Sequence, residues 1–158
     1  MSKLVGSTLP GDLYRRLAGK NLQASNEKAI LVCTTDPNGW PHPAILSYFE
    51  MVAKDERNIR LAAYRESSMT SNMRRNGKLT ILILDERVAY YIKGTVEELA
   101  QEMECSPHNS KLNVRVEQVL ADSANEEFEP GVYITSGVTY KRPAELHQAM
   151  AMLSELLG

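Results

Sequence analysis

The stretch Leu61–Leu84, "LAAYRESSMTSNMRRNGKLTILIL", decides how the rest of the chain is read. Two apolar runs flank a polar segment, "RESSMTSNMRRNG", rich in hydroxyl, amide and guanidinium groups. Either Ser67 or Ser68 suits a helix N-cap, because a short side-chain oxygen can accept from the free N–H groups of a first turn. Met69 and Met73 are four residues apart and fall on one face, and Asn76-Gly77 supplies a stop. The spacing predicts a helix of about two turns starting at the end of one buried strand and leading into the next. Its N-terminus would carry free N–H groups and partial positive charge, a setting that suits phosphate. Pattern alone favours the plainer reading, in which the serines only cap and Arg74 and Arg75 only complement the helix dipole.

Working outward, "AILVCTT" (Ala29–Thr35) reads as a buried strand and "DPNGWP" as a turn, with Pro37 fixing one torsion and Gly39 accepting positive φ. "HPAILSYFEMVA" reads as the returning strand, "IRLAAY" as a third, and "KLTILIL" as a strand buried on both faces. "AYYIKGTVEEL" alternates, as does "LNVRVEQVL", whose phase slips before Val119 and predicts a bulge. "GVYITSGVTY" reads as a last strand. "LPGDLYRRLAGKN" predicts a short opening helix with Leu9, Leu13 and Leu17 on its apolar face, and Pro143 is expected to open a closing helix over 143–157. About seven short strands in series with flanking helices imply a mainly β architecture, an antiparallel barrel or sandwich, in a single domain over 1–158. Its expected divisions are an N-terminal helical segment at 1–24, a barrel at 25–140 and the closing helix.

Composition narrows the function. The chain has 158 residues, 43% hydrophobic and 24% charged, with a net charge of −2, so no global positive field argues for nucleic acid. No apolar run approaches the length of a membrane span, and the start, "MSKLVGSTLPGDLYRR", lacks a signal peptide's apolar core, so the expected compartment is the cytoplasm. Cys33 and Cys105 do not make a disulfide framework. "CSPH" (Cys105–His108) is half a zinc site, but the paired spacing of a tetrahedral site is missing, and no metal is expected. No local signature pairs a cysteine with a histidine base. Trp40 reads as a turn or rim residue, and "AMAMLSELL" as core or a dimer seam.

The ordered set "DPNGWPHPAILSYF", "IRLAAYRESSMTSNMRRNGKLTILIL" and "VAYYIKGTVEEL" resembles the pyridoxamine 5'-phosphate oxidase-like, FMN-binding split-barrel family, over about residues 25 to 120. The resemblance implies a split β-barrel homodimer with flavin mononucleotide at the interface, acting as an oxidoreductase on an unidentified small molecule. It places Ile45, Leu46, Ser47 and Tyr48 along the flavin ring, and Ala63, Tyr64 and Arg65 at the ring and ribityl chain. The phosphate-binding serine falls on Ser68, and Arg65, Ser67, Ser68 and Thr70 are the expected phosphate clasp. The later strand's glycine falls on Gly94, and Val88 and Ala89 would approach the flavin from the other subunit. No catalytic acid or base is named, since the flavin carries the redox chemistry. Met69-Thr70 stand where the family has a basic pair; Arg65, Arg74 and Arg75 are the candidate replacements. The chain also lacks the Trp- and Arg-containing C-terminal segment with which the true oxidase binds its substrate, so a different reaction is expected. The alternative is a non-enzymatic binding or sensor protein on the same fold that has lost FMN or takes heme or a deazaflavin.

Overall fold

The computed structural model describes residues 1–143 and 145–158. Eight strands and four helices follow one another: β1 (Ser2–Gly6), α1 (Gly11–Arg16), α2 (Leu22–Ser25), β2 (Ala29–Thr35), β3 (Pro41–Ser47), β4 (Met51–Ala53), β5 (Asn58–Tyr64), α3 (Ser68–Asn76), β6 (Lys78–Asp85), β7 (Val88–Ala100), β8 (Asn109–Asp122) and α4 (Leu146–Leu157). All pair antiparallel in one curled sheet of order β3-β2-β6-β7-β8-β5-β4, with β1 continuing alongside β8 where β5 ends. The expected mainly β architecture is therefore present.

The sheet curls because its two longest strands are bulged. Lys93 pairs with Gln118 and Gly94 with Val116, leaving Glu117 as the extra residue that shifts the phase ahead of Val119. Gly94 sits where the bulged strands approach closely: a Cβ there would lie 2.5 Å from Val114 Cγ1 and 2.8 Å from the Arg115 carbonyl oxygen. The curl encloses a core in which Ile30, Val32, Ile59, Leu61, Ile81, Ile83, Ile92, Val114 and Val116 are all fully buried. Helix α1 and its flanks close one end of it through Leu13 of the helix and Leu9 and Leu17 on either side. Helix α4 makes a second, smaller core, setting Leu153 and Leu156 against Val52, Ala62 and Met103.

Four sequence expectations change. "HPAILSYFEMVA" is two strands, because the chain turns at Tyr48–Glu50 to carry β4 onto β5. Strand β6 is buried on one face only; Leu79, Ile81 and Ile83 are buried, whereas Thr80, Leu82 and Leu84 are half-covered. "GVYITSGVTY" is an extended strap and not a strand, joined to the sheet by a single bridge between Lys28 and Thr139. Its Val132, Tyr133, Ile134 and Val138 are exposed. The closing helix begins at Leu146, downstream of Pro143; position 144, within the expected helix, lies outside the described residues. No helix among the described residues is long and apolar enough to cross a membrane.

Candidate functional site

The polar segment after β5 folds as its spacing predicts. Ser67 is the N-cap, with extended backbone, and Gly77 closes the helix in the left-handed region at φ 68°. Ser67 Oγ accepts from Thr70 N at 3.2 Å and donates to Thr70 Oγ1 at 3.1 Å. Thr70 Oγ1 donates in turn to the Tyr64 carbonyl at 2.7 Å, so the helix start is fastened to the last residue of β5. Met69 and Met73 are buried in the core, which fixes the helix orientation. Ser68 is exposed, and the N–H groups of Ser68 and Met69 have no partner among the described residues. The positive end of α3 is therefore open to an acceptor.

That helix start forms one wall of a cavity of about 420 Å³. His42 and Ala44 to Ser47 of β3 form much of the floor, Tyr64, Ser67, Ser68 and Met69 one side, and Glu50, Tyr140 and Arg142 contribute to the rest of the lining. The volume is within the range of small-molecule sites, and an apolar floor with a few converging polar groups is their usual composition. The strap reaches this place because it is tied to the start of β2: Ala29 N donates to the Val138 carbonyl at 3.0 Å and Tyr140 N to the Glu27 carbonyl at 2.9 Å. Arg142 then extends along the cavity wall, donating from one terminal nitrogen to the Tyr140 hydroxyl at 2.7 Å, with its guanidinium 4.8 Å from the centre of the Phe49 ring. Glu50 accepts from Ser47 Oγ at 2.8 Å, and Ser47 Oγ accepts from Phe49 N at 3.2 Å. Burial pushes the Glu50 carboxyl above its ordinary pKa, against the opposing pull of Ser47 and Arg142.

Of the expected cofactor residues, the structure brings together Leu46, Ser47, Tyr64, Ser67 and Ser68, with Ile45 beside them. Thr70 and Ala63 lie behind the wall: both are fully buried, and the Thr70 hydroxyl is already committed to Tyr64. Tyr48 is turned into the core and toward a separate cavity of about 320 Å³ lined also by Arg16 and Lys28. Arg65 is not among the lining residues; it pairs with Glu102 and, at 3.6 Å, with Glu66. The other two candidate cations are occupied as well. Arg74 bonds Glu98 at 2.7 Å and the Arg65 carbonyl at 3.1 Å, and Arg75 bonds the Thr35 carbonyl and Asn72 Oδ1. Val88 and Ala89 line a third cavity, of about 560 Å³, with Arg87 and Tyr133, so within one chain they do not meet the β3–α3 site. Sequence reasoning missed His42, Glu50, Tyr140 and Arg142. Nothing local marks the last two, because their position depends on where the strap crosses β2. Cys33 and Cys105 are free, and no group of three or more His, Cys, Asp and Glu side chains gathers among the described residues.

Comparison with known proteins bears on the family and the fold. The model of the pyridoxamine 5'-phosphate oxidase family matches residues 20–130. The uncharacterized protein YclD of Bacillus subtilis (strain 168) is 27% identical over 142 residues, covering 90% of this chain and 86% of YclD. The crystal structure of a pyridoxamine 5'-phosphate oxidase candidate from Lactobacillus delbrueckii superposes with a TM-score of 0.58 at 16% identity, over 75% of this chain and 98% of that one. An FMN-binding protein from Syntrophomonas wolfei gives 0.53 at 17% identity, over 72% and 91%. These two structures establish the split-barrel fold. The chain belongs to the pyridoxamine 5'-phosphate oxidase family.

Proposed function

We propose that this protein is an FMN-binding oxidoreductase, with one flavin in each β3–α3 cavity and a homodimer completing the site. The observation that carries the reading is the meeting of Ile45, Leu46, Ser47, Tyr64, Ser67 and Ser68 in one cavity, at an open helix N-terminus. These residues fit the group. Ile45, 62% exposed, and Leu46 offer an apolar surface to a ring. The unpartnered N–H groups of Ser68 and Met69 and the Ser68 hydroxyl suit a phosphate at the positive end of α3. Ala63 and Thr70 then act from behind by fixing the wall, and Arg65 stays at its carboxylate partners. Bound flavin supplies hydride or electron transfer. The chain's own part is to orient the ring along β3, with Ser47 fastened to Glu50 at 2.8 Å. A second copy would present Val88 and Ala89, whose cavity is bordered by the exposed apolar Val132 and Tyr133. FMN of the Syntrophomonas protein supports the choice of cofactor by likeness of fold.

The experiment is the visible absorption spectrum of the purified protein, before and after adding FMN. Flavin bands that persist through gel filtration support the reading; a colourless protein that takes up no added flavin refutes it. One observation favours a second reading. His42 lines the cavity while the basic pair is missing from α3, and an imidazole can ligate heme iron. A Soret band in place of the flavin bands decides for it.

A further inference from the structure

The guanidinium of Arg142 is held in position by a tyrosine hydroxyl, two aromatic rings and one long ion pair. Its NH1 donates to the Tyr140 hydroxyl at 2.7 Å, and the Phe49 and Tyr140 rings lie 4.8 and 5.9 Å from its central carbon. The carboxylate nearest to it, Glu50 Oε1, is 3.9 Å away, beyond hydrogen-bond length, and is already engaged by Ser47 Oγ at 2.8 Å. Of the five N–H donors on an arginine, the other four have no partner among the described residues. The side chain is 31% exposed and lines the same cavity as Ser67 and Ser68. Other basic groups around this half of the sheet behave differently: Arg65 and Arg74 hold glutamates, and Arg16 and Lys28 share Asp85 at 2.7 and 2.6 Å.

A planar cation oriented by aromatic rings, with four donors unpartnered among the described residues and its one carboxylate neighbour 3.9 Å away and bonded to Ser47, suits bidentate capture of an oxyanion. We propose that Arg142 is the anion-recognition residue of this cavity, taking a phosphate monoester or carboxylate of a small-molecule ligand, with Tyr140 as its positioning residue. The cation absent from α3 would thus be supplied by the strap. The inference rests on the flavin reading only for the source of the anion, which is either the flavin's own phosphate or an anionic group on the second reactant.

The test titrates inorganic phosphate, FMN and riboflavin separately into the whole protein and its R142A, R142K and Y140F variants. Phosphate binding is followed by ¹H–¹⁵N NMR, including the arginine Nε–H signals, and flavin binding by fluorescence quenching. Phosphate should shift the Arg142 signal in the wild type, and R142A should bind it about tenfold or more weakly. R142K should recover part of the loss as a point charge, and Y140F should lose less than R142A. If R142A weakens FMN but not riboflavin, the anion is the flavin phosphate; if both flavins bind R142A as they bind the wild type, it belongs to the second reactant. Wild-type protein that binds phosphate but neither flavin defeats the cofactor reading and leaves this one standing. Phosphate that leaves the Arg142 signal unmoved, or that binds R142A as tightly as wild type, overturns the proposal. Should R142A fail to fold, R142K and Y140F carry the same comparison, and unchanged phosphate binding in both overturns it.

Discussion

Ser67 and Ser68 are neighbours with different duties, and alanine at each separates them. Ser67 is the cap: its Oγ accepts the otherwise free Thr70 N–H and bonds the fully buried Thr70 hydroxyl. Losing a cap costs about 1 kcal/mol, and the less well satisfied Thr70 hydroxyl raises the expected loss for Ser67→Ala to about 1.5 kcal/mol. With a urea slope of about 2 kcal/mol per molar, the unfolding midpoint should fall by about 0.7 M. Ser68 is exposed and makes no side-chain hydrogen bond among the described residues, so Ser68→Ala should stay within about 0.5 kcal/mol of wild type. In the flavin site the order reverses. A hydroxyl bonded to a charged phosphate contributes about 1.5–3 kcal/mol, so Ser68→Ala should weaken FMN about tenfold or more while leaving riboflavin unchanged. The assay is a urea midpoint and two flavin dissociation constants for each variant. A Ser68→Ala protein whose preference for FMN over riboflavin is intact refutes the phosphate assignment. An unmoved midpoint in Ser67→Ala refutes the capping account.

Gly94→Ala should cost about 1–3 kcal/mol in urea unfolding, because its Cβ meets both Val114 and the Arg115 backbone; a cost below about 0.5 kcal/mol contradicts the packing at the bulge. Asp85→Asn should cost about 2 kcal/mol at neutral pH by releasing Arg16 and Lys28. Burial alone would raise the Asp85 pKa, but hydrogen bonds from Lys28, the Glu86 N–H and Arg16 outweigh it and hold the pKa below the ordinary value. The stabilisation is therefore present above the unfolded pKa of about 3.9 and is lost as pH falls through the lower folded value. Urea midpoints against pH should show that acid limb in wild type and a flatter one in the variant. Val132→Asp, at an exposed residue on the Val88–Ala89 cavity, should cost a monomer under about 0.5 kcal/mol yet shift sedimentation velocity from dimer to monomer; an unchanged dimer places the seam elsewhere.

What could be read from the sequence was what local chemistry determines. The Asp36 turn, with Asp36 Oδ1 accepting from Asn38 N and Trp40 N, follows from residue types that admit few alternatives. The cap at Ser67, the stop at Gly77 and the bulge before Val119 are likewise encoded within a few residues. The misses involve distant partners. Strand β1 was unreadable because Leu4 and Val5 remain exposed at 64% and 44%, so no buried face is patterned into it. The strap at 131–140 alternates like a strand, yet alternation reports extended backbone and not pairing, and only Thr139 finds a bridge. In the site, the β3 and α3 residues could be placed because family order and helix geometry put them side by side. Tyr48 is assigned to the ring by its place after Ser47, and the turn at Tyr48–Glu50 sends it into the core instead. Arg65 is expected in the phosphate clasp because nothing local reveals its acidic partner, Glu102, which lies 37 residues later.

The measurement that bears most directly on the account is a crystal structure of the protein grown with FMN. Electron density for the flavin is expected between β3 and α3, its ring against Ile45, Leu46 and Ser47 and its phosphate at Ser67 and Ser68, with Val88 and Ala89 of a second copy closing over it. Flavin bound elsewhere on the chain, or an empty β3–α3 cavity at saturating FMN, contradicts it.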